Sequence, residues 1–179
     1  MIVGLLIGKD RSMGLPGKNV RSIVGRPMAE YGLIAGRAVP VEYMFVSTDS
    51  QAIAELGANY KAQIIERPAE LATPESLTED VLVHAGIQIK ERLGTTPSLV
   101  VLFFANCPAI DIKLIRDGID ALNISPDLDS AFSVCQYNMF TPNRARKISD
   151  DGIIESFVPP EALGDKFSSI RGSQGDAYF

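Results

Sequence analysis

A chain of 179 residues, 46% hydrophobic and 22% charged, has room for one domain with a substantial core and the balance of an ordinary globular protein. No apolar run approaches the roughly 20 residues of a membrane helix, and the apolar start Met1–Gly8 is too short for a secretory signal, so membrane insertion is not expected. A net charge of −5 excludes a generally basic nucleic-acid surface, and two cysteines, Cys107 and Cys135, imply no disulfide framework and fit a reducing cytoplasm.

In chain order, residues 2–8 (IVGLLIG) form an apolar strand ending in glycine, followed by two glycine-punctuated segments. Pro27 opens a helical stretch to about Arg37. A strand at 43–47 leads through Thr48-Asp49-Ser50, a capping sequence, into a helix over 50–58. A strand at 62–65 precedes a helix from Glu79 to Arg92, whose Val81, Leu82, Ala85, Ile89 and Leu93 share one side. The continuous run 98–104 predicts a central parallel strand covered on both faces, and a helix over 111–122 and a strand at 130–135 follow. Residues 146–156 alternate around Asp151-Gly152 as a β-hairpin with a tight turn, 157–176 read as loop, and 177–179 as a last strand. Strands alternating with helices predict a three-layer α/β/α domain with a doubly wound, mostly parallel sheet. Ligands in such sheets bind beyond the carboxyl ends of the strands, which points to Gly8–Asn19, Ser47–Asp49 and Ala105–Pro108.

The charge is unevenly spread. Residues 1–40 hold six basic residues against two acidic ones, +4, which leaves −9 for the remainder. Such a focus in an acidic chain suits a compact polyanion. It coincides with GKDRSMGLPGKN, residues 8–19, directly after the first strand. A triphosphate needs close backbone N–H groups and fixed positive charge; Gly8, Gly14 and Gly17 supply the first and Lys9 and Lys18 the second. The spacing matches neither GxxxxGK[ST] nor GxGxxG, so neither a P-loop nor a dinucleotide fingerprint is present.

The order LLIGKDRSMGLPGKNV, FVSTDS (45–50), ERPAELAT (66–73) and VVLFFANCP (100–108) resembles the CMP-sugar synthetases, in particular the acylneuraminate cytidylyltransferases, across essentially the whole chain. The resemblance implies a nucleotide-diphospho-sugar transferase-like (Rossmann-like) fold. It also implies transfer of CMP from CTP to a 2-keto sugar acid such as a nonulosonic acid, with release of pyrophosphate and the help of Mg²⁺. By that likeness Lys9 stands where the family has an arginine, keeping the charge and losing the planar fork. Lys18 matches the phosphate lysine, while Gly8, Ser12, Gly14, Asn19, Arg67 and Thr78 fall at the nucleotide. Asp49 is expected to cap a helix and shape the pocket. Phe104 replaces a glutamine that reaches the ligands, and Asn106 replaces a metal-binding aspartate of the octulosonate enzymes. Gln174 and Arg171 are the sugar-acid candidates. The family's paired metal aspartates lie in a segment past the strand at 177–179, which leaves Asp176 as the metal candidate here.

The resemblance also implies a homodimer, with residues 137–170 as its exchanged insertion within the single domain 1–179. The substituted Phe104 and Asn106 keep open a second reading, a catalytically silent homologue that binds a nucleotide or nucleotide sugar as a sensor or partner subunit. His84 reads as structural or exposed, Cys107 as a packing residue, Phe103, Phe132 and Phe140 as core, and Phe104 as either core or a stacking surface.

Overall fold

The computed structural model describes residues 1–10, 15–73, 75–134 and 146–156. It divides into two compact units, Met1–Asp117 and Gly118–Phe179.

The first unit is built on four parallel strands, β1 (Ile2–Gly8), β4 (Tyr43–Thr48), β5 (Gln63–Glu66) and β6 (Leu99–Phe104), in the order β5-β4-β1-β6. A two-stranded hairpin, β2 (Ser22–Ile23) with β3 (Arg26–Pro27), follows the first loop. The sheet alternates side chains between two cores. Leu6, Val46 and Phe103 pack with Leu33 of α1 (Met28–Ala38) and Ile53 of α2 (Gln51–Asn59). Val3, Leu5, Ile7, Phe45 and Ile65 pack instead with Val81, Ala85 and Ile89 of α3 (Thr78–Leu93). Helices on both faces make three layers, the α/β architecture expected. Connections on the two sides of β1 leave by opposite faces, so the gap between β1 and β6 is a topological switch point.

Close layers explain the glycines of α1. A Cβ on Gly32 would stand 2.6 Å from Leu6 Cδ1, and one on Gly36 would stand 2.8 Å from Met44 Sδ. The helix therefore rests against the sheet through a side-chain-free stripe. Arg116 Nη2 of α4 (Ile112–Ile124) donates to Ala38 O at the carboxyl end of α1 (2.6 Å), satisfying an acceptor that the helix itself leaves open.

Helix ends differ from expectation in one informative place. Ser50 is the N-cap of α2, yet its side chain makes no capping bond, and Asp49 does not cap the helix either. Both are recruited by the first loop. At the other end, α2 closes in a Schellman arrangement, with Ala62 N–H on Gly57 O (3.0 Å) and Lys61 N–H on Ala58 O (2.9 Å). Lys61 sits there at φ 60, where glycine is usual.

In the second unit, β7 (Arg146–Ile148) and β8 (Ile154–Ser156) form the expected antiparallel hairpin. Its turn spans three residues, Asp150 to Gly152. Gly152 lies at φ 76, and Ser149 N–H donates to Ile153 O (2.9 Å). The predicted strand at 130–135 is absent from residues 130–134: these pair with no strand, and Phe132 and Val134 are exposed, so Phe132 is not core. An apolar run makes a strand only where a neighbouring ladder accepts its backbone. Cys135, Phe140 and the elements expected at 157–179 lie outside the described residues. No helix among the described residues is long and apolar enough to cross a membrane.

Candidate functional site

The carboxyl ends of β1, β4 and β5 open into a cleft of about 1580 Å³. One wall is the turn Thr48-Asp49-Ser50 and the start of α2; another is Glu66, Arg67 and the segment after it; Asp10, Pro16 and Gly17 form the rim.

The loop after β1 is pinned at both ends. Asp10 N–H donates to Asp49 Oδ1 (2.9 Å), and Ser50 Oγ donates to Asp10 Oδ1 (3.1 Å). Further along, Asn19 Nδ2 donates to Lys9 O (2.9 Å), which ties the far end of the loop back to its start. Asn19 is buried in a single 3₁₀ turn (Lys18–Val20) that follows Gly17 at φ 67, a conformation that glycine adopts without steric cost. Its Oδ1 is buried and has no partner. Gly8 is required for a different reason. A Cβ there would stand 2.6 Å from Ala105 Cβ and 3.1 Å from Ile53 Cδ1, so β1 can end against β6 only without a side chain.

Arg67 is the unusual charge of the cleft. It is 7% exposed, its N–H donates to Thr48 O (3.0 Å), and its Nη2 donates to Ser47 O (2.8 Å). Its Nε has no partner, and no carboxylate forms an ion pair with it among the described residues. Burial pushes its guanidinium below the ordinary arginine value, and the nearby charge of Asp49 opposes that shift. A buried, donor-only cation with an open N–H favours a ligand that presents an acceptor.

The predicted residues fall into three groups. Gly8, Lys9, Lys18 and Asn19 come together at the end of β1, with Lys9 and Lys18 half-buried and without an ion-pair partner among the described residues. Arg67 lines the cleft, whereas Thr78 is an exposed residue at the start of α3 and does not. Phe104 and Asn106 stand exposed at the carboxyl end of β6, and Phe104 is therefore not core, although its neighbour Phe103 is. Ser12, Gly14, Arg171, Gln174 and Asp176 lie outside the described residues. Cys107 is an exposed free thiol rather than a packing residue, because the chain turns outward as Cys107 N–H returns to Phe104 O (3.1 Å). His84 is half-buried with an unpartnered Nδ1. Asp10, Ser50 and Glu66 line the cleft without having been singled out; only the position of Thr48-Asp49-Ser50 just after a strand marked that region. Among the described residues no three His, Cys, Asp or Glu side chains stand together to hold a metal ion.

A cytidylyltransferase family model matches residues 10–156. Over 169 residues, 92% of the chain, the sequence is 27% identical to a CMP-N,N'-diacetyllegionaminic acid synthase of Legionella pneumophila, and spans 68% of that protein. It is 28% identical over 85 residues, 47% of the chain, to an N-acylneuraminate cytidylyltransferase of Escherichia coli, of which it spans 20%. A CMP:2-keto-3-deoxy-manno-octonic acid synthetase solved with CTP superposes with a TM-score of 0.58 at 20% identity, over 71% of this chain and 49% of that one. A nucleotidyl transferase from Methanothermobacter superposes with a TM-score of 0.53 at 14% identity, over 67% and 57% of the two chains. At such identities the two structures share the fold.

Proposed function

Because the chain belongs to the cytidylyltransferase family, we propose that it transfers the cytidylyl group of CTP to a 2-keto sugar acid of the nonulosonic class. The anomeric hydroxyl oxygen attacks the α-phosphorus, the bond to the bridging oxygen of the β-phosphate breaks, pyrophosphate leaves, and the hydroxyl proton passes to water. Catalysis of this kind rests on alignment and charge neutralisation.

The observation that carries this reading is a buried, donor-only Arg67 with an unpartnered Nε lining a cleft whose rim residues Asp10 and Gly17 adjoin Lys9 and Lys18 in the chain. Arg67 takes an acceptor on the pyrimidine ring. Lys18 and Lys9 take the phosphates, with backbone groups at Gly8, Ser12 and Gly14. Asn19 already spends its Nδ2 on Lys9 O, so only its acceptor Oδ1 is left for the nucleotide. Thr78, exposed and off the cleft, keeps its nucleotide assignment from the family likeness alone. Phe104 and Asn106 keep their sugar-acid assignment from the family likeness, as do Arg171 and Gln174, which lie outside the described residues.

Mg²⁺ is the expected cofactor and would neutralise phosphate charge. No cluster of His, Cys, Asp or Glu among the described residues fits it, and Asp176 is its candidate ligand from the family likeness. The protein is proposed to act as a cytoplasmic homodimer joined through residues 137–170.

The test is to incubate the protein with CTP, Mg²⁺ and a panel of nonulosonic acids and to follow pyrophosphate. Release with at least one acid, abolished by Lys18→Ala with the fold retained, is the expected outcome. CTP-dependent thermal stabilisation without turnover would favour a binding-only homologue, and no stabilisation by any nucleoside triphosphate would defeat both.

A further inference from the structure

Three carboxylates, Asp10, Asp49 and Glu66, line a cleft that the reading above assigns to a polyanionic nucleotide. Two of them have visible structural tasks. Asp49 Oδ1 accepts from Asp10 N–H (2.9 Å) and its charge favours the ionised form of Arg67. Asp10 Oδ1 accepts from Ser50 Oγ (3.1 Å), a bond made at the expense of capping α2. Asp10 is nevertheless exposed at the cleft, and its second oxygen makes no hydrogen bond among the described residues. Its backbone is fixed by Asp49 and its side chain by Ser50, so the remaining lone pairs face the cleft from a preorganised position.

A carboxylate in this place is the wrong partner for a phosphate, since both are negative acceptors. It requires a ligand group that donates. A nucleoside triphosphate carries donors in two places, the exocyclic amine of its base and the vicinal hydroxyls of its ribose. Arg67, a pure donor, occupies the end of the cleft where the base is read. Asp10 adjoins Lys9 in the chain, and Gly17, on the same rim, adjoins Lys18. Asp10 is also bonded to Asp49 and Ser50, in the turn whose Thr48 O holds Arg67, so it links the phosphate end to the base end, which is where a nucleotide places its sugar. Carboxylates at the ends of parallel strands are well suited to ribose hydroxyls, because one carboxylate can accept from two vicinal O–H groups.

We propose that Asp10 accepts hydrogen bonds from the ribose hydroxyls of the bound nucleotide and makes this cleft select ribonucleotides over deoxyribonucleotides. Ser50 acts as its positioning residue. The proposal rests on the nucleotide reading above and adds to it a specificity residue.

The test measures dissociation constants of CTP and 2′-deoxy-CTP by calorimetry, with Mg²⁺ and separately with a chelator, for wild type, Asp10→Ala, Asp10→Asn and Ser50→Ala. Wild type is expected to bind CTP roughly tenfold or more tightly than 2′-deoxy-CTP, the ratio that one charge-assisted hydrogen bond supplies. In Asp10→Ala the ratio falls towards one, mainly through weaker CTP binding. In Asp10→Asn and Ser50→Ala it takes intermediate values. Thermal midpoints check folding, and Asp10→Asn, which can still accept from Ser50, decides the matter if the alanine variant does not fold. Equal affinity of wild type for both nucleotides overturns the proposal while leaving the nucleotide site intact. So does an equal loss of both in the variants, or an effect of Asp10→Ala that disappears with the chelator, which marks a metal ligand instead. No binding of either nucleotide to wild type overturns the parent reading and this proposal with it.

Discussion

Gly8→Ala is the most direct probe of how the sheet ends at the site. The glycine is extended, not at positive φ, so alanine meets no backbone obstacle and by itself removes unfolded-state entropy worth about 0.4–1 kcal/mol. Against this stands the steric term. The added Cβ falls 2.6 Å from Ala105 Cβ, about an ångström inside ordinary carbon contact, and Ala105 Cβ is fixed to the backbone and cannot swing aside. Ile53 Cδ1 at 3.1 Å can yield, being a side-chain end. Overpacking of this kind costs about 1–3 kcal/mol, so after the entropic gain the net loss is expected to be about 1.3 kcal/mol. Ala105→Gly alone loses a buried methyl, about 0.8 kcal/mol, and adds the flexibility of glycine, for about 1.5 kcal/mol in total. In the double variant the new methyl occupies the space that the old one left. Its stability should return to within about 1 kcal/mol of the parent, with a coupling near 2 kcal/mol. Urea unfolding followed by circular dichroism measures all four proteins. Additive losses, with the double variant about 3 kcal/mol below the parent, would refute the claim that this one contact dictates glycine.

Asn19→Ala should loosen the loop by removing its bond to Lys9 O, lowering stability by about 1 kcal/mol and weakening CTP binding several-fold in a titration. Lys61→Gly should raise stability by about 0.5–1 kcal/mol in the same urea assay, since it relieves φ 60 at the end of α2; a loss would mean the lysine makes a compensating contact. Tyr60 Oη donates to Glu30 Oε1 (2.6 Å), and that bond, aided by burial, holds the phenol above its ordinary value of 10.0. A raised value stabilises the protonated form, so this contribution is complete below pH 10 and is lost as pH climbs through the folded value. Wild type should therefore lose stability more steeply above pH 10 than Tyr60→Phe, which should be about 1 kcal/mol less stable at neutral pH.

Periodicity made most of the first unit readable. Residues 2–8 are buried on both faces and show as an unbroken apolar run, and the Val81, Ala85, Ile89 spacing placed α3 within a residue at each end. The run 98–104 is a parallel strand as expected, but it stands at the edge of the described sheet with Val100 and Phe104 exposed, not at the centre covered on both faces. The same rule failed at 130–134, where apolar residues find no ladder. The short β2–β3 hairpin escaped notice because Val24, at φ 50 in its turn, is a residue that turn chemistry disfavours. In the loop beside the cleft, the glycines and lysines advertise themselves by type and spacing. The Asp10–Ser50 and Asp10–Asp49 bonds do not, since they join residues about forty positions apart, and the side chains involved would serve equally as helix caps. Arg67 could be marked as a nucleotide residue by likeness, but its orphaned Nε follows only from packing.

The turn Thr48-Asp49-Ser50 has a consequence for how such a chain can change over generations. The side chains of Asp49 and Ser50 bond to Asp10 upstream, the backbone carbonyl of Thr48 accepts from the backbone N–H of Arg67 downstream, and Ser50 N–H returns to Thr48 Oγ1 within the turn itself. Drift at position 10 is therefore judged through the side chains of residues 49 and 50, so tolerated replacements at these three positions should arrive in correlated sets. Innovation in acceptor choice is left to surfaces that this turn does not hold, such as the exposed end of β6 at Phe104 and Asn106.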